Sequence, residues 1–273
     1  MSVINSNVKS LVAQQALALN NRQMSKAMAQ LSTGKRINSA ADDAAGLAIS
    51  NKMTAQVRGL QQAVRNTNDA ITMVQTVEGA LGEVTNMLQR MRELAVQSVN
   101  GTNSSADRVS LDTEFDQLAT EIARISDKTT WNGMTVAASA ETYTFQTGPD
   151  AAATVSIDFK DINSSLNGMS DVSGGHVSTA AGAASSIAHV DNAISAVDAY
   201  RSTLGAMVNR LTYAADNLGN VANNTAASRS RIADTDYATA TTELARTQII
   251  QQAATAMLAQ ANQSPATVLS LLQ

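Results

Sequence analysis

The stretch IAHVDNAISAVDAYRSTLGAMVNRLTYAADNLGNVA, residues 187–222, decides the fold. Within it Ile187, Val190, Ile194, Val197, Arg201, Leu204, Val208, Leu211, Ala215, Leu218 and Ala222 are spaced alternately three and four apart. Apolar groups at that period form one seam of a helix packed along its whole length, and Arg201 is the seam's only charged member. The N-terminal half holds a matching helix. Met73, Val77, Ala80, Val84, Met87, Met91 and Leu94 make one seam, and Val74, Leu81, Leu88 and Ala95 a second beside it. Two adjacent seams give an apolar face broader than a two-stranded coiled coil buries, so a bundle of three or four helices is expected. Leu111, Phe115, Leu118, Ile122 and Ile125, again spaced four and three, supply a third helix.

Working outward, the boundaries are readable. Ser39-Ala40-Ala41-Asp42 has the form of a capping box, with Asp in place of the usual Glu or Gln, and predicts a helix start there. Residues 100–105, Asn-Gly-Thr-Asn-Ser-Ser, break the helical pattern. Asn132-Gly133 signals a turn after the third helix. Tyr143 to Thr147 alternates large and polar groups, Gly148-Pro149 turns the chain, and Val155, Ile157 and Phe159 alternate beyond it; two antiparallel strands are expected. Residues 163–186, rich in Ser, Gly, Asn and Ala, predict an exposed loop. The fold class is therefore mainly α: a long antiparallel helical bundle or coiled coil from both termini, with a small β-hairpin region in the middle.

Composition agrees and excludes several functions. Of 273 residues 44% are hydrophobic, yet only 3% are aromatic, with 2 prolines and 48 alanines. The formal charge is −4, and no basic run exceeds Lys35-Arg36, which argues against nucleic acid as a partner. With no cysteine, disulfides and thiolate metal sites are excluded. His176 and His189 are too few for most zinc or triad chemistry, and no HExxH occurs. No apolar run is long enough to span a membrane, so no membrane insertion is expected. The first residues lack an apolar signal region, so no cleaved secretory signal is expected. Asp42-Asp43 and Asp234/Asp236 border helix starts and read as caps rather than acid–base pairs. Gly34 and Gly46 belong to no phosphate-binding loop. No catalytic residue, cofactor or metal is expected, and the chain is not read as an enzyme.

Both ends are chemically unusual. No acidic residue precedes Asp42, and no charged side chain follows Arg246. Leu17, Met24 and Leu31 lie a heptad apart; Ile250, Ala254, Met257 and Ala261 step by four, three and four. A helix uncharged on all sides calls for burial on all sides, and one partner helix cannot supply it. Alanine- and glutamine-rich seams gain little from a single contact. Such ends are ordered by many neighbours in an assembly and loose without them, with the ordering entropy offset in the polymer. A self-assembling structural protein is the reading these features favour.

The motifs make the resemblance specific. Residues 31–49 read LSTGKRINSAADDAAGLAI, 88–98 LQRMRELAVQS, 201–211 RSTLGAMVNRL, 229–238 RSRIADTDYA and 257–263 MLAQANQ. In this order the chain resembles bacterial flagellin, closely over about 1–135 and 187–273 and loosely between. Two departures stand out: Ala240 where the family often has an acidic residue, and Pro265-Ala266 where it has Pro-Gln. The resemblance implies a short flagellin lacking large outer domains. Residues 1–40 with 236–273 would form an inner-tube helical domain, disordered in the monomer. Residues 41–134 with 185–235 would form an outer bundle, and 135–184 a β-hairpin and exposed loop. It implies a helical polymer of self, alone or mixed with other flagellins, in the extracellular filament used for swimming. Export would be unfolded, through the flagellar type III apparatus with a chaperone, toward hook-associated and cap proteins. Leu17, Met24, Leu31, Leu244, Ile250, Met257 and Leu258 are the expected inner-tube packing residues. Gln89, Arg90, Leu94 and Glu114 match positions read by a vertebrate Toll-like receptor, with Leu94 as an apolar anchor. The alternative within the superfamily is a hook–filament junction protein.

Overall fold

The computed structural model describes residues 6–164, 166 and 168–270, with side chains through residue 263. The extreme ends of the terminal domain expected above (1–5 and 271–273) and the side chains of Pro265-Ala266 lie outside the described residues. Six helices carry most of the chain: α1 (Val8–Thr33), α2 (Ala44–Val99), α3 (Ser105–Lys128), α4 (Met169–Ser173), α5 (Ala180–Ala233) and α6 (Tyr237–Ser270). Two small antiparallel pairs complete it, β1 (Thr130–Trp131) with β2 (Met134–Thr135) and β3 (Thr142–Gln146) with β4 (Thr154–Asp158). The mainly-α class read from the seams is the class the chain adopts. Two compact units result: Met1–Val57 with Asn223–Gln273, and Arg58–Ala222.

The Arg58–Ala222 unit is built on the seams. Met73, Val77, Val84, Met91 and Leu94 are buried, as are Val74, Leu81, Leu88 and Ala95. From α5, Val190, Val197, Leu204 and Leu211 enter the same core, one per heptad, and α3 adds Phe115 and Ile122. Each large side chain so buried contributes roughly 1.5–3 kcal/mol. Arg201, the seam's exception, is half-buried, and its Nε has no hydrogen-bond partner among the described residues. Tyr200 is buried, and its hydroxyl accepts from the Lys160 backbone N–H at 3.0 Å. Burial pushes that phenol's pKa up.

The helix boundaries follow from local chemistry. Ser104 and Asp107 form a reciprocal capping box at the start of α3. Asn132 (φ 49°) and Gly133 (φ 80°) are both left-handed, as a type I′ turn between β1 and β2 requires. In the β3–β4 pair Tyr143 faces Ile157 and Phe145 faces Val155. Tyr143 also meets Phe159 edge to face, with ring centres 5.6 Å apart.

Two expectations need correction. Residues 163–186 are not an exposed loop. They contain α4 and the first turns of α5, and Leu166, Met169, Val172, Val177 and Ala183 are all buried. The small residues permit this close packing. Gly168 has φ +84°, and a Cβ there would lie 3.0 Å from the backbone N of Ala193. The second correction concerns the start of α2. Asp42 does accept from the Ser39 N–H at 3.1 Å and from the Ser39 hydroxyl at 3.1 Å, but this closes a turn before the helix. The helix begins at Ala44, and it is Asp43 that caps it, accepting from the Gly46 N–H at 2.8 Å.

Candidate functional site

The Met1–Val57/Asn223–Gln273 unit is organised around α1 and α6. Its connection is set by the two motifs quoted for residues 31–49 and 229–238. Helix α1 stops because Gly34 takes a left-handed conformation (φ 69°), its N–H bonding back to Gln30 O. Lys35 then bridges Asp234, the Arg36 N–H donates to Ala233 O at 2.7 Å, and the Thr235 N–H donates to Gly34 O at 3.0 Å. The Arg36 guanidinium donates to Ile232 O at 2.7 Å. Asp236 caps α6, accepting from the Ala238 N–H and the Thr239 hydroxyl. These bonds hold its carboxyl below the usual aspartate range, the Thr239 hydroxyl first. The Lys26 ammonium, 3.1 Å from Asp42, does the same there.

Helices α1 and α6 pair antiparallel. The Asn7 amide donates to Ala261 O at 2.8 Å, the Asn20 amide to Thr247 O at 2.8 Å, and the Tyr237 hydroxyl to Leu31 O at 3.3 Å. The groove between them buries small or polar residues: Ser10, Asn20 and Ala27 from α1, Ala240 and Thr247 from α6. The Oδ1 atoms of Asn20 and Asn21 are buried without a partner among the described residues. Several larger apolar groups face outward instead. Val8, Leu11, Val12 and Leu19 of α1 are more than half exposed, as are Ile249 and Met257 of α6. A helix pair ordinarily does the reverse.

The seven expected packing residues divide accordingly. Leu17, Met24, Leu31, Leu244 and Leu258 are half-buried. Ile250 and Met257 are exposed, Met257 by 66%. Near the ends of the helices Val8, Lys9, Val12, Ala13, Met257 and Gln260 line an open, mainly apolar groove of about 570 Å³, closed by Ala261. Sequence spacing missed Val8, Leu11, Val12, Leu19 and Ile249. The signal was present, since 8, 11, 12 and 19 form a stripe at helical spacing, but it lies on the face away from the heptad seam.

The four expected receptor-contact residues also divide. Gln89, Arg90 and Glu114 are exposed. The Arg90 guanidinium bonds Glu114 at 2.9 Å and Glu93 at 3.0 Å, and these two carboxylates, Glu114 first, hold its pKa up. Leu94 is 1% exposed, because it belongs to the α2 seam in the bundle core. An apolar anchor must reach its partner, so buried Leu94 offers none in this conformation, while the three polar residues stay open.

Two paired terminal helices thus carry apolar groups on their outside, as interaction surfaces do, and the last 27 residues of the sequence hold no charged side chain. Residues 4–142 match the bacterial flagellin N-terminal helical region, and residues 187–272 the bacterial flagellin C-terminal helical region. The chain is 46% identical to a flagellin of Halalkalibacterium halodurans, covering 99% of this chain and all of that one. It is 35% identical to flagellin B of Vibrio cholerae over 98% of this chain and 99% of the relative; that alignment runs to 371 positions against 273 residues here. Among solved structures, Bacillus cereus flagellin is similar at a TM-score of 0.50 and 34% identity, covering 56% of this chain and 88% of that one. A putative flagellar hook-associated protein of Vibrio parahaemolyticus shares the fold over 71% of this chain and all of that one, at a TM-score of 0.60 and 14% identity. The chain belongs to the bacterial flagellin family, of which it is a short form, and is a structural subunit of the flagellar filament.

Proposed function

We propose that this subunit assembles through the outward apolar face of α1 and α6, which copies of the same chain cover in the filament's inner tube. The observation that carries this is the inverted helix pair: Val8, Leu11, Val12, Leu19, Ile249 and Met257 outside, Ser10, Asn20, Ala27, Ala240 and Thr247 inside. Leu17, Met24, Leu31, Leu244 and Leu258 set the pair, and Ile250 joins the outer face. Repeated head-to-tail contacts of that kind do not close, so a helical polymer grows. The filament is extracellular and serves swimming. The subunit reaches it unfolded through the flagellar type III apparatus, with a chaperone, and meets hook-associated and cap proteins there. The absence of cysteine and the 2 prolines support passage as an unfolded chain. Gln89, Arg90 and Glu114 are the positions a vertebrate Toll-like receptor would read on the monomer.

The test is seeded elongation followed by electron microscopy. Leu19→Asp and Met257→Asp place a charge where the neighbouring subunit packs. Each is expected to reduce filament mass at least about tenfold, since burying one unpaired charge costs several kcal/mol, while circular dichroism of the monomer stays unchanged. Wild-type elongation by both variants would overturn the assignment. A hook–filament junction protein is separated by gene deletion: loss of whole filaments supports the filament subunit, and loss of a few junction subunits opposes it.

A further inference from the structure

Asp112 and Asp116 lie one turn apart on α3, and His176 lies in the segment between α4 and α5. One ligating atom from each falls within 4.8 Å of the others, although 60 residues of sequence separate the histidine from Asp116. The His176 Nδ1 atom is 3.9 Å from Asp112 Oδ2. That is too long for a hydrogen bond and of the order of the separation between two atoms sharing one metal ion with bonds near 2.1 Å.

The setting holds the donors in place. Asp112 Oδ1 accepts from the Val177 N–H at 2.5 Å and the Ser178 N–H at 3.1 Å, which leaves Oδ2 turned toward the imidazole. From the other side the Ser98 hydroxyl donates to Val177 O at 2.5 Å and the Ser186 hydroxyl to His176 O at 3.2 Å. Val177 itself is fully buried, so the backbone carrying His176 is pinned to the core. Ligands oriented by such outer bonds bind metal better than loose ones. Electrostatics point the same way. Two carboxylates at i and i+4 on a helix repel, and among the described residues no lysine or arginine lies within ion-pair distance of either. Asp116 and His176 are open to solvent, so water can complete the coordination shell.

We propose that Asp112, Asp116 and His176 bind a divalent transition-metal ion of the zinc class, linking α3 to the segment that leads into α5. The imidazole selects the class. Calcium and magnesium take oxygen donors and gain little from a histidine, whereas zinc and cobalt accept the mixed set.

The experiment is calorimetric titration of the full chain with Zn²⁺ alone, paired with NMR of the histidine ring resonances. One-to-one saturable binding is expected, with the His176 ring shifting and the His189 ring unmoved. His176→Ala and Asp116→Asn are expected to weaken binding at least about tenfold; both residues are exposed, so the fold is retained. His189→Ala, beside Asp171 rather than in this cluster, serves as the unchanged control. Equal affinity in all three variants, no saturable binding, or displacement of Zn²⁺ by an equal concentration of Ca²⁺ would each overturn the site.

Discussion

Asn20 occupies a position where a two-helix seam ordinarily carries leucine. Its amide spans to Thr247 O, while its own carbonyl oxygen lies buried with no partner among the described residues. A buried polar group of this kind costs stability and fixes register, the trade known from single asparagines in coiled coils. Asn20→Leu is therefore expected to strengthen the α1–α6 pair by about 1 kcal/mol, seen as a higher midpoint of thermal unfolding, and to slow elongation because slipped registers become accessible. An unchanged midpoint together with normal elongation would show that the amide sets nothing. Gly34 works oppositely. Alanine at φ 69° costs about 1 kcal/mol, and its Cβ would come to 3.3 Å from the Tyr237 hydroxyl. Gly34→Ala should lower the same midpoint and speed amide exchange at the end of α1. Residues of this kind were only partly legible. Sequence spacing singled out Leu17, Met24 and Leu31, which lie a heptad apart and are half-buried. It passed over Val8, Leu11, Val12 and Leu19, because apolar groups are read as inward unless an assembly is already in view.

At the scale of elements, two helical starts and the turn before a third depend on ionised carboxylates. Asp42 holds the turn before α2, Asp107 closes the box at α3, and Asp236 caps α6. Each has its pKa held below the ordinary aspartate value of about 3.9. A lowered folded pKa means stability present above the unfolded value and lost as the pH falls through the folded one. Acidification below about pH 4 should therefore loosen these segments first, measured as faster amide exchange at Ser39, Ser104 and Ala238, whose N–H groups donate to the three carboxylates, than in the middle of α5. Uniform loss of protection along the helices would contradict this. Ser104→Ala isolates one cap and is expected to cost about 1 kcal/mol in urea unfolding followed through the Arg58–Ala222 unit. The helices themselves were legible from seams, because a periodic apolar face of this length has one structural use. The packing of 163–186 was not. Leu166, Met169, Val172 and Val177 are too few and too unevenly spaced to show a period, and the polar small residues around them read as solvent-exposed although their size is what allows close packing.

At the scale of the whole molecule, deleting residues 247–273 removes most of α6 and with it the carbonyl partners of Asn7 and Asn20. The expected product is a soluble chain with the Arg58–Ala222 unit folded and no filament by electron microscopy. Wild-type filament yield from it would refute the role given to the paired ends. Class and assembly were legible at this scale from composition: 3% aromatics, no cysteine and charge-free C-terminal residues leave few alternatives to long helices that need neighbours. The site at Asp112, Asp116 and His176 was not, since only the folded course of α4 carries the histidine back to α3.

The sparse aromatics have a practical consequence. Trp131, the sole tryptophan, packs against the core of the Arg58–Ala222 unit, and every phenylalanine lies in that unit as well. The terminal unit owns one aromatic ring, Tyr237. Indole fluorescence thus acts as a built-in optical label for one half of the molecule and is blind to the other, whereas backbone dichroism sums both. Recording the two signals together during heating or assembly separates the melting of the bundle from the ordering of the ends, without attaching a dye to either.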